Sequence, residues 1–378
     1  MDRDWVRLDF DREAPFETIR RWSAPDWEKR PLRMLRDFFA GLLGPVTIQT
    51  GRQTPQPRRL DRLRDVHLTW SNFLICGDIC TSIYNDPKTA VSGIVDWPGL
   101  SKTAGIYRCG QDFVVSRSRL KDAEHISGRT LLASSNEPHN WGMFLLYTLP
   151  AVAYFTENRH IYDKLLVFAG HRNMEAMLRL LGVTGAEFIL HDCSKAYHLE
   201  SVDVFRQAQR EYAIAPEAKA MFAKLREKVA GSASVPSVRQ LYVGRHRRSI
   251  EMNGYRALMN EVELMDRLAT MGYSAIDPEY LSPEEQIELF GSARRIVVLG
   301  GAGLFNAVFC KPGTKIVDIE SSRDHLENHS TILSSMDIDY AMIIGQVDPD
   351  DPASHNKRWT VDIDRAAAAI DGFMGAEP

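Results

Sequence analysis

The chain reads as an α/β protein of two parallel-sheet domains closed by a C-terminal helix. Three observations predict this. Its 378 residues suit two domains at ~150 residues each. Beyond about residue 130, short apolar runs alternate with stretches of helical period, the pattern of strands crossed over by helices. The run Gly231-Ser-Ala-Ser-Val-Pro236 then separates two such stretches like a linker.

Taken in order, residues 1–65 are rich in Arg, Asp and Pro and are expected to be an irregular N-terminal arm. The basic cluster Arg58, Arg59, Arg62 and Arg64 is broken by Asp61 and Asp65 and reads as a solvated face. Residues 66–230 are expected to form the first α/β domain. Up to Leu132 it should be rich in strands. Strands are expected at Thr130–Ala133, Leu165–Phe168 and Glu187–Leu190, with helices at Trp141–Phe155 and Asn173–Leu181 between them. Phe205–Val229 reads as one charged helix. Residues 237–350 carry the most regular alternation. Strands are expected at Gln240–Val243, Tyr273–Ile276, Arg295–Leu299, Lys315–Ile319 and Asp339–Ile344. Helices should run from Leu258 to Met271, from Ser282 to Ala293, from Gly303 to Cys310 and from His325 to Met336. Ser282-Pro-Glu-Glu285 combines a capping box with proline at the first helical position. Nine alternating elements make this a doubly wound, Rossmann-like domain. Residues 351–378 form a tail with a final helix over Ile363–Met374.

Composition excludes several classes. Hydrophobic residues make up 44% and charged residues 25%, with mean hydropathy −0.26, which is ordinary for a globular protein. A net charge of −4 gives no field for nucleic acid, so none is expected as a partner and any phosphate binding must be local. Five scattered cysteines suggest a reducing compartment, not a disulfide framework. Cys76 and Cys80 lack a second pair at zinc spacing and read as small buried hydrophobes. The charged start MDRDWVRLDF is not a signal peptide. The most apolar run, Met143 to Phe155, contains Pro150 and falls short of the ~20 residues a spanning helix needs. A cytoplasmic protein, or one at the inner face of a membrane, is expected.

The strongest local signal is Gly300-Gly-Ala-Gly-Leu-Phe-Asn306, between a buried-looking strand and a helix. Glycines at Gly300, Gly301 and Gly303, with Ala302, let a ligand approach the backbone, where free N–H groups attract an anion. Asp318 and Glu320 end the next strand, where an acid can accept from ribose hydroxyls. Arg245-His-Arg-Arg248 follows the first strand of this domain, a position where open parallel sheets bind ligands. Arg245 could grip a diphosphate in a bidentate manner. In the first domain, His139-Asn-Trp-Gly142 occupies the equivalent strand end. His139 and Glu137 are candidate bases, and Asn140 and Trp141 flank them. Asn140 as a helix cap and His139 as plain surface is the competing account. His325 and His329 share a helical face, but two ligands make no metal site and none is expected. Asp337-Ile-Asp339 and Asp362-Ile-Asp364 are coincidental D-x-D patterns.

The segments LYVGR (241–245), LMNEVEL (258–264), LSPEEQIELFGSA (281–293), GGAGLFNAVFCKPGTKIVDIE (300–320), DIDY (337–340) and NWGMFLLYTLP (140–150) resemble glycosyltransferase family 61 over roughly residues 130–345. The resemblance implies a GT-B architecture of two Rossmann-like domains facing a cleft, with the nucleotide-sugar donor on the C-terminal domain and the acceptor on the N-terminal one. It implies an inverting transfer without a chemical metal or other cofactor. Residue by residue, it implies that Arg245 faces the donor diphosphate and that Asn260 and Glu261 brace that loop. Gly301, Ala302 and Gly303 would approach the diphosphate, with Asn306 part of the same motif. Asp318 would be a ribose acceptor in place of the family's Glu, and His329 would lie on the nucleotide side. The family commonly carries His where this chain has Gly300 and Met143.

The expected activity is transfer of a sugar from a nucleotide sugar, a UDP-sugar foremost, to a glycan or lipid-linked glycan hydroxyl in polysaccharide biosynthesis, with a peripheral membrane contact allowed for. Two other classes fit parts of the pattern. An NAD-dependent oxidoreductase would explain the glycine turn and the following acid, against a missing third glycine. A non-catalytic sugar-nucleotide or glycan binder would explain Gly300 and Met143.

Overall fold

The computed structural model describes residues 4–22, 27–28, 32–37, 46–48, 52–53, 58–83, 88, 91–92, 95–96, 99–135, 137–206, 213–232, 235, 238–252, 254, 256–352 and 357–375. The chain divides into two units, residues 1–25 with 55–211 and residues 26–54 with 212–378.

The first unit is built on a mixed sheet. Strands Phe188–Leu190, Lys164–Val167, Glu124–Ala133 and Ala196–Arg206 lie side by side and parallel. Arg58–Thr69 then pairs antiparallel with Ala196–Arg206 and continues into the hairpins Phe73–Cys76 and Ile79–Ser82. The expected β-α-β-α-β run between 130 and 190 is present. Its first helix spans Trp141 to Glu157, with a wider π turn over Phe144–Thr148. Pro150 explains the widening, because it has no N–H for the carbonyl of Leu146 and its ring would crowd that group.

Three expectations change here. The irregular arm contains strands, since Glu17–Trp22 pairs with Arg58–Thr69 inside this sheet. Leu60, Leu63, Val66 and Leu68 are all fully buried, and their burial outweighs the Arg/Asp richness that suggested a loop. The expected helix from Phe205 is a strand end, and the helix begins only at Pro216, which fits the first helical turn. That helix, Pro216–Val229, falls in the second unit, so the unit boundary precedes the 231–236 linker. Its face of Met221, Phe222, Leu225 and Val229 is buried, and Phe222 meets Phe309 edge-on at 5.5 Å.

The second unit holds the doubly wound sheet. In spatial order its strands are Ser274–Ile276, Gln240–Val243, Arg295–Leu299, Lys315–Glu320 and Asp339–Ile344, all parallel. Leu32–Asp37 extends the row in parallel, and Val46–Ile48 closes it antiparallel. Numbered along the chain from residue 240, the five strands run 2-1-3-4-5. The order reverses between the first strand and the third, and the crevice at their carboxyl ends is the ligand position of such sheets. The expected helices are present at Glu261–Thr270, Pro283–Ser292 and Leu326–Ser335, the second with its capping box complete. The segment after the glycine turn, Ala302–Phe309, winds as a 3₁₀-helix instead of an α-helix. Leu304 to Phe309 are all buried. The tail helix Ile363–Gly375 packs Ala366, Ile370 and Phe373 into the same core as Tyr242, Val297 and Trp359.

Candidate functional site

Strand order brings Arg245 to the glycine turn. Arg245 follows the 240–243 strand and caps a short helix, His246–Glu251, where a loop was expected. Its backbone N–H donates to Glu261 Oε1 at 2.6 Å, and the Tyr242 hydroxyl donates to the same oxygen at 3.2 Å. Glu261 is 2% exposed. Burial holds its carboxyl above the usual range, against the pull of these donors. Gly244 makes the contact feasible, since a Cβ there would lie 2.8 Å from Glu261 Oε1. The guanidinium of Arg245 reaches across to the third strand, and Nη1 donates to the carbonyl of Gly300 at 2.9 Å.

Each glycine of the turn has a packing reason. Gly301 has φ +140°, and a Cβ there would come within 3.1 Å of Arg245 Nη1. A Cβ on Gly303 would press on Val243 Cγ1 at 3.2 Å. At Gly300 the conflict is severe, because a Cβ would fall 1.9 Å from Glu320 Cδ. The place of a side chain at position 300 is therefore filled by the Glu320 carboxyl. Ala302 and Gly303 open the 3₁₀-helix, whose first N–H groups have no acceptor within it.

Under this turn lies a buried charged cluster. Asp318 Oδ2 accepts from His329 Nδ1 at 2.8 Å and from the Tyr340 hydroxyl at 2.9 Å. Glu320 Oε2 accepts from Arg256 Nη2 at 3.0 Å. Asp318, Glu320 and His329 are 0%, 1% and 3% exposed. Burial, followed by the neighbouring Asp318 charge, pushes Glu320 up to about 7. His325 stacks on His329 at 5.4 Å, and Phe305 meets it edge-on at 5.9 Å. Asp318, Glu320 and His329 also offer nitrogen and oxygen atoms close enough together to hold a metal ion.

These placements revise several sequence expectations. Asp318 and Glu320 do not stand at the surface as ribose acceptors. Strand alternation turns both to one face, and that face is covered by the helix bearing His329. Asn260, expected to brace the Arg245 loop, is engaged with the segment that leads into the tail helix. Its side chain clamps Val361, donating to the carbonyl at 2.7 Å and accepting from the N–H at 3.2 Å. Asn306 is fully buried in the 3₁₀-helix.

The other candidates lie in the first unit. Asn140 caps the helix at Trp141, its Oδ1 accepting from the N–H of Gly142 at 2.9 Å. Its Nδ2 donates to Glu137 Oε2 at 2.8 Å. His139 is exposed and edge-on to Phe168 at 4.7 Å, and Trp141 stacks on Phe144 at 5.6 Å. Met143 is buried. Arg256 escaped the sequence reading. It sits on an irregular segment with φ +52° and carries no motif. Tyr340 had one signal, its place in the DIDY segment.

A family model described as Glycosyltransferase 61 matches residues 133–317. No curated protein matches the chain.

Proposed function

We propose, for a chain whose residues 133–317 match the family model of glycosyltransferase 61, that the second unit binds the diphosphate of a nucleotide sugar between Arg245 and the Gly300–Gly303 turn. The observation that carries this is the Arg245 guanidinium 2.9 Å from the Gly300 carbonyl, at the point where strand order reverses. A guanidinium is a planar, permanently charged fork whose geometry suits phosphate oxygens. The N–H groups at Ala302 and Gly303 add a second set.

The proposed reaction is a direct displacement. An acceptor hydroxyl attacks the anomeric carbon, the bond from that carbon to the diphosphate breaks, and configuration inverts. A base takes the hydroxyl proton, with His139 and Glu137 of the first unit as candidates. Arg245 and the turn meet the charge growing on the diphosphate, so the transfer step needs neither metal nor cofactor. In this reading the units divide the work as in GT-B enzymes, donor on the second and acceptor on the first. The donor is a UDP-sugar and the acceptor a glycan or lipid-linked glycan. Polysaccharide assembly at the cytoplasmic face of a membrane is the proposed setting.

The test is titration of the full chain with UDP, GDP and NADH, followed by the same series on Arg245→Ala. A nucleoside diphosphate should bind, NADH should not, and the variant should lose ~100-fold or more in affinity or turnover, since one such donor is worth ~3 kcal/mol in a transition state. Its circular dichroism should be unchanged. Wild-type-like binding and turnover in that variant would remove Arg245 from the site. Donor binding without transfer or hydrolysis across an acceptor panel would mark a non-catalytic binder.

A further inference from the structure

We propose that Asp318, Glu320 and His329 form a binding site for a divalent transition-metal ion with zinc's ligand preferences, beneath the Gly300–Gly303 turn. The proposal does not depend on the transfer reaction. It rests on a side-chain cluster that brings His329 together with two acids from the neighbouring strand.

The three residues present ligand atoms that all lie within 4.8 Å of one another, and all three are buried. Two of the buried oxygens, Asp318 Oδ1 and Glu320 Oε1, accept no hydrogen bond from the described residues. A carboxylate oxygen removed from water without a donor is costly, and a cation relieves that cost. Arg256 pairs with Glu320, one of the two carboxylates that stand together in this pocket.

The spacing suits an ion in the place of a shared proton. His329 Nδ1 is 2.8 Å from Asp318 Oδ2 and 3.9 Å from Glu320 Oε1. A zinc ion at ~2.0–2.2 Å from each ligand could sit between these atoms after small side-chain shifts. The outer contacts a metal site needs are also present. Tyr340 donates to Asp318 and Arg256 donates to Glu320, fixing the orientation of the two carboxylates. One imidazole with two carboxylates favours zinc or a neighbouring transition ion. Magnesium and calcium prefer oxygen alone.

Such an ion would pin the 315–320 strand to the helix Leu326–Ser335 and fix the Glu320 carboxyl against Gly300. Its role is structural, setting the shape of the turn from below.

The experiment measures zinc per chain by plasma mass spectrometry. The full chain is stripped with chelator, reloaded with zinc and passed through gel filtration. One zinc per chain is expected, with a higher unfolding temperature than the stripped protein. His329→Gln and Glu320→Gln should each retain less than a tenth of that zinc, and Arg245→Ala should retain all of it. Tyr340→Phe should weaken binding ~10-fold or more through loss of the outer contact. Cobalt in place of zinc should give visible bands of a nitrogen–oxygen site and shift the ring protons of His329, a readout on the unmutated chain should a variant fail to fold. A folded chain that takes up no zinc would overturn the proposal. So would uptake unaffected by His329→Gln, or a thiolate charge-transfer band in the cobalt protein.

Discussion

Gly300→Ala tests how tightly the glycine turn depends on the cluster beneath it. The new Cβ would stand 1.9 Å from Glu320 Cδ, about half an ordinary carbon–carbon contact. Either the turn lifts or Glu320 swings away. If Glu320 moves, it abandons Arg256 at 3.0 Å, in a pair whose side chains are 2% and 16% exposed. Separating a buried pair costs ~3–5 kcal/mol, and the small exposure of Arg256 favours the lower end. If the turn lifts instead, the Arg245 bond to the Gly300 carbonyl is strained and the crevice changes shape. The expected loss is therefore ~3 kcal/mol of local stability, read as faster native-state hydrogen exchange in peptides covering residues 295–320. The decisive arm is the double variant. In a Glu320→Ala background the clash is gone, so Gly300→Ala should add less than ~1 kcal/mol and reveal a coupling between neighbours. A wild-type exchange pattern in Gly300→Ala, or the same added cost in both backgrounds, would refute the reasoning.

Two further outcomes follow from the first unit. His191 is 2% exposed, and burial lowers its imidazole from 6.5 to about 4. The folded chain thus keeps it neutral while the unfolded chain takes a proton below about 6.5, so stability is full above that pH and is lost as pH falls toward 4. The loss is about 3 kcal/mol, and urea unfolding across this range should show a drop that His191→Phe flattens. Asp203, fully buried, accepts from Arg62 Nε at 2.7 Å and Nη2 at 3.0 Å, from Arg129 Nη2 at 2.7 Å and from the Tyr162 hydroxyl at 3.1 Å. Asp203→Asn should cost ~3 kcal/mol by leaving two guanidiniums without their shared anion, measured by chemical denaturation. A change under ~1 kcal/mol would show that water already screens them.

Much of the second unit was legible because its signals are local. Ser282 with Glu285, Pro283 at the first helical turn and the apolar runs at 295–299 and 339–344 each declare an element within a few residues. The candidate site was half legible. Arg245 and the Gly300–Gly303 turn stand out by residue type and by position after strands. Asp318 and Glu320 were found but misassigned, since alternation says that they share a face and not what covers it. Asn260 and Asn140 were ambiguous between site and scaffold, and their hydrogen bonds are with the chain's own backbone and neighbours. The N-terminal strands went unread because Arg and Asp at 58–65 mask a leucine and valine pattern that only partner strands make intelligible.

The sequence by itself determined the alternation of strands and helices, the glycine turn and the arginine after the first strand, because propensity, capping and period act over a few residues. Tertiary structure alone decided that the first and third strands are neighbours, which carries Arg245 55 residues along the chain to Gly300. It also decided that strand Leu32–Asp37 joins the far side of that sheet, and that two acids meet a histidine in a dry pocket. These are questions of which surfaces exclude water together, and that is settled by contacts between segments far apart in the chain.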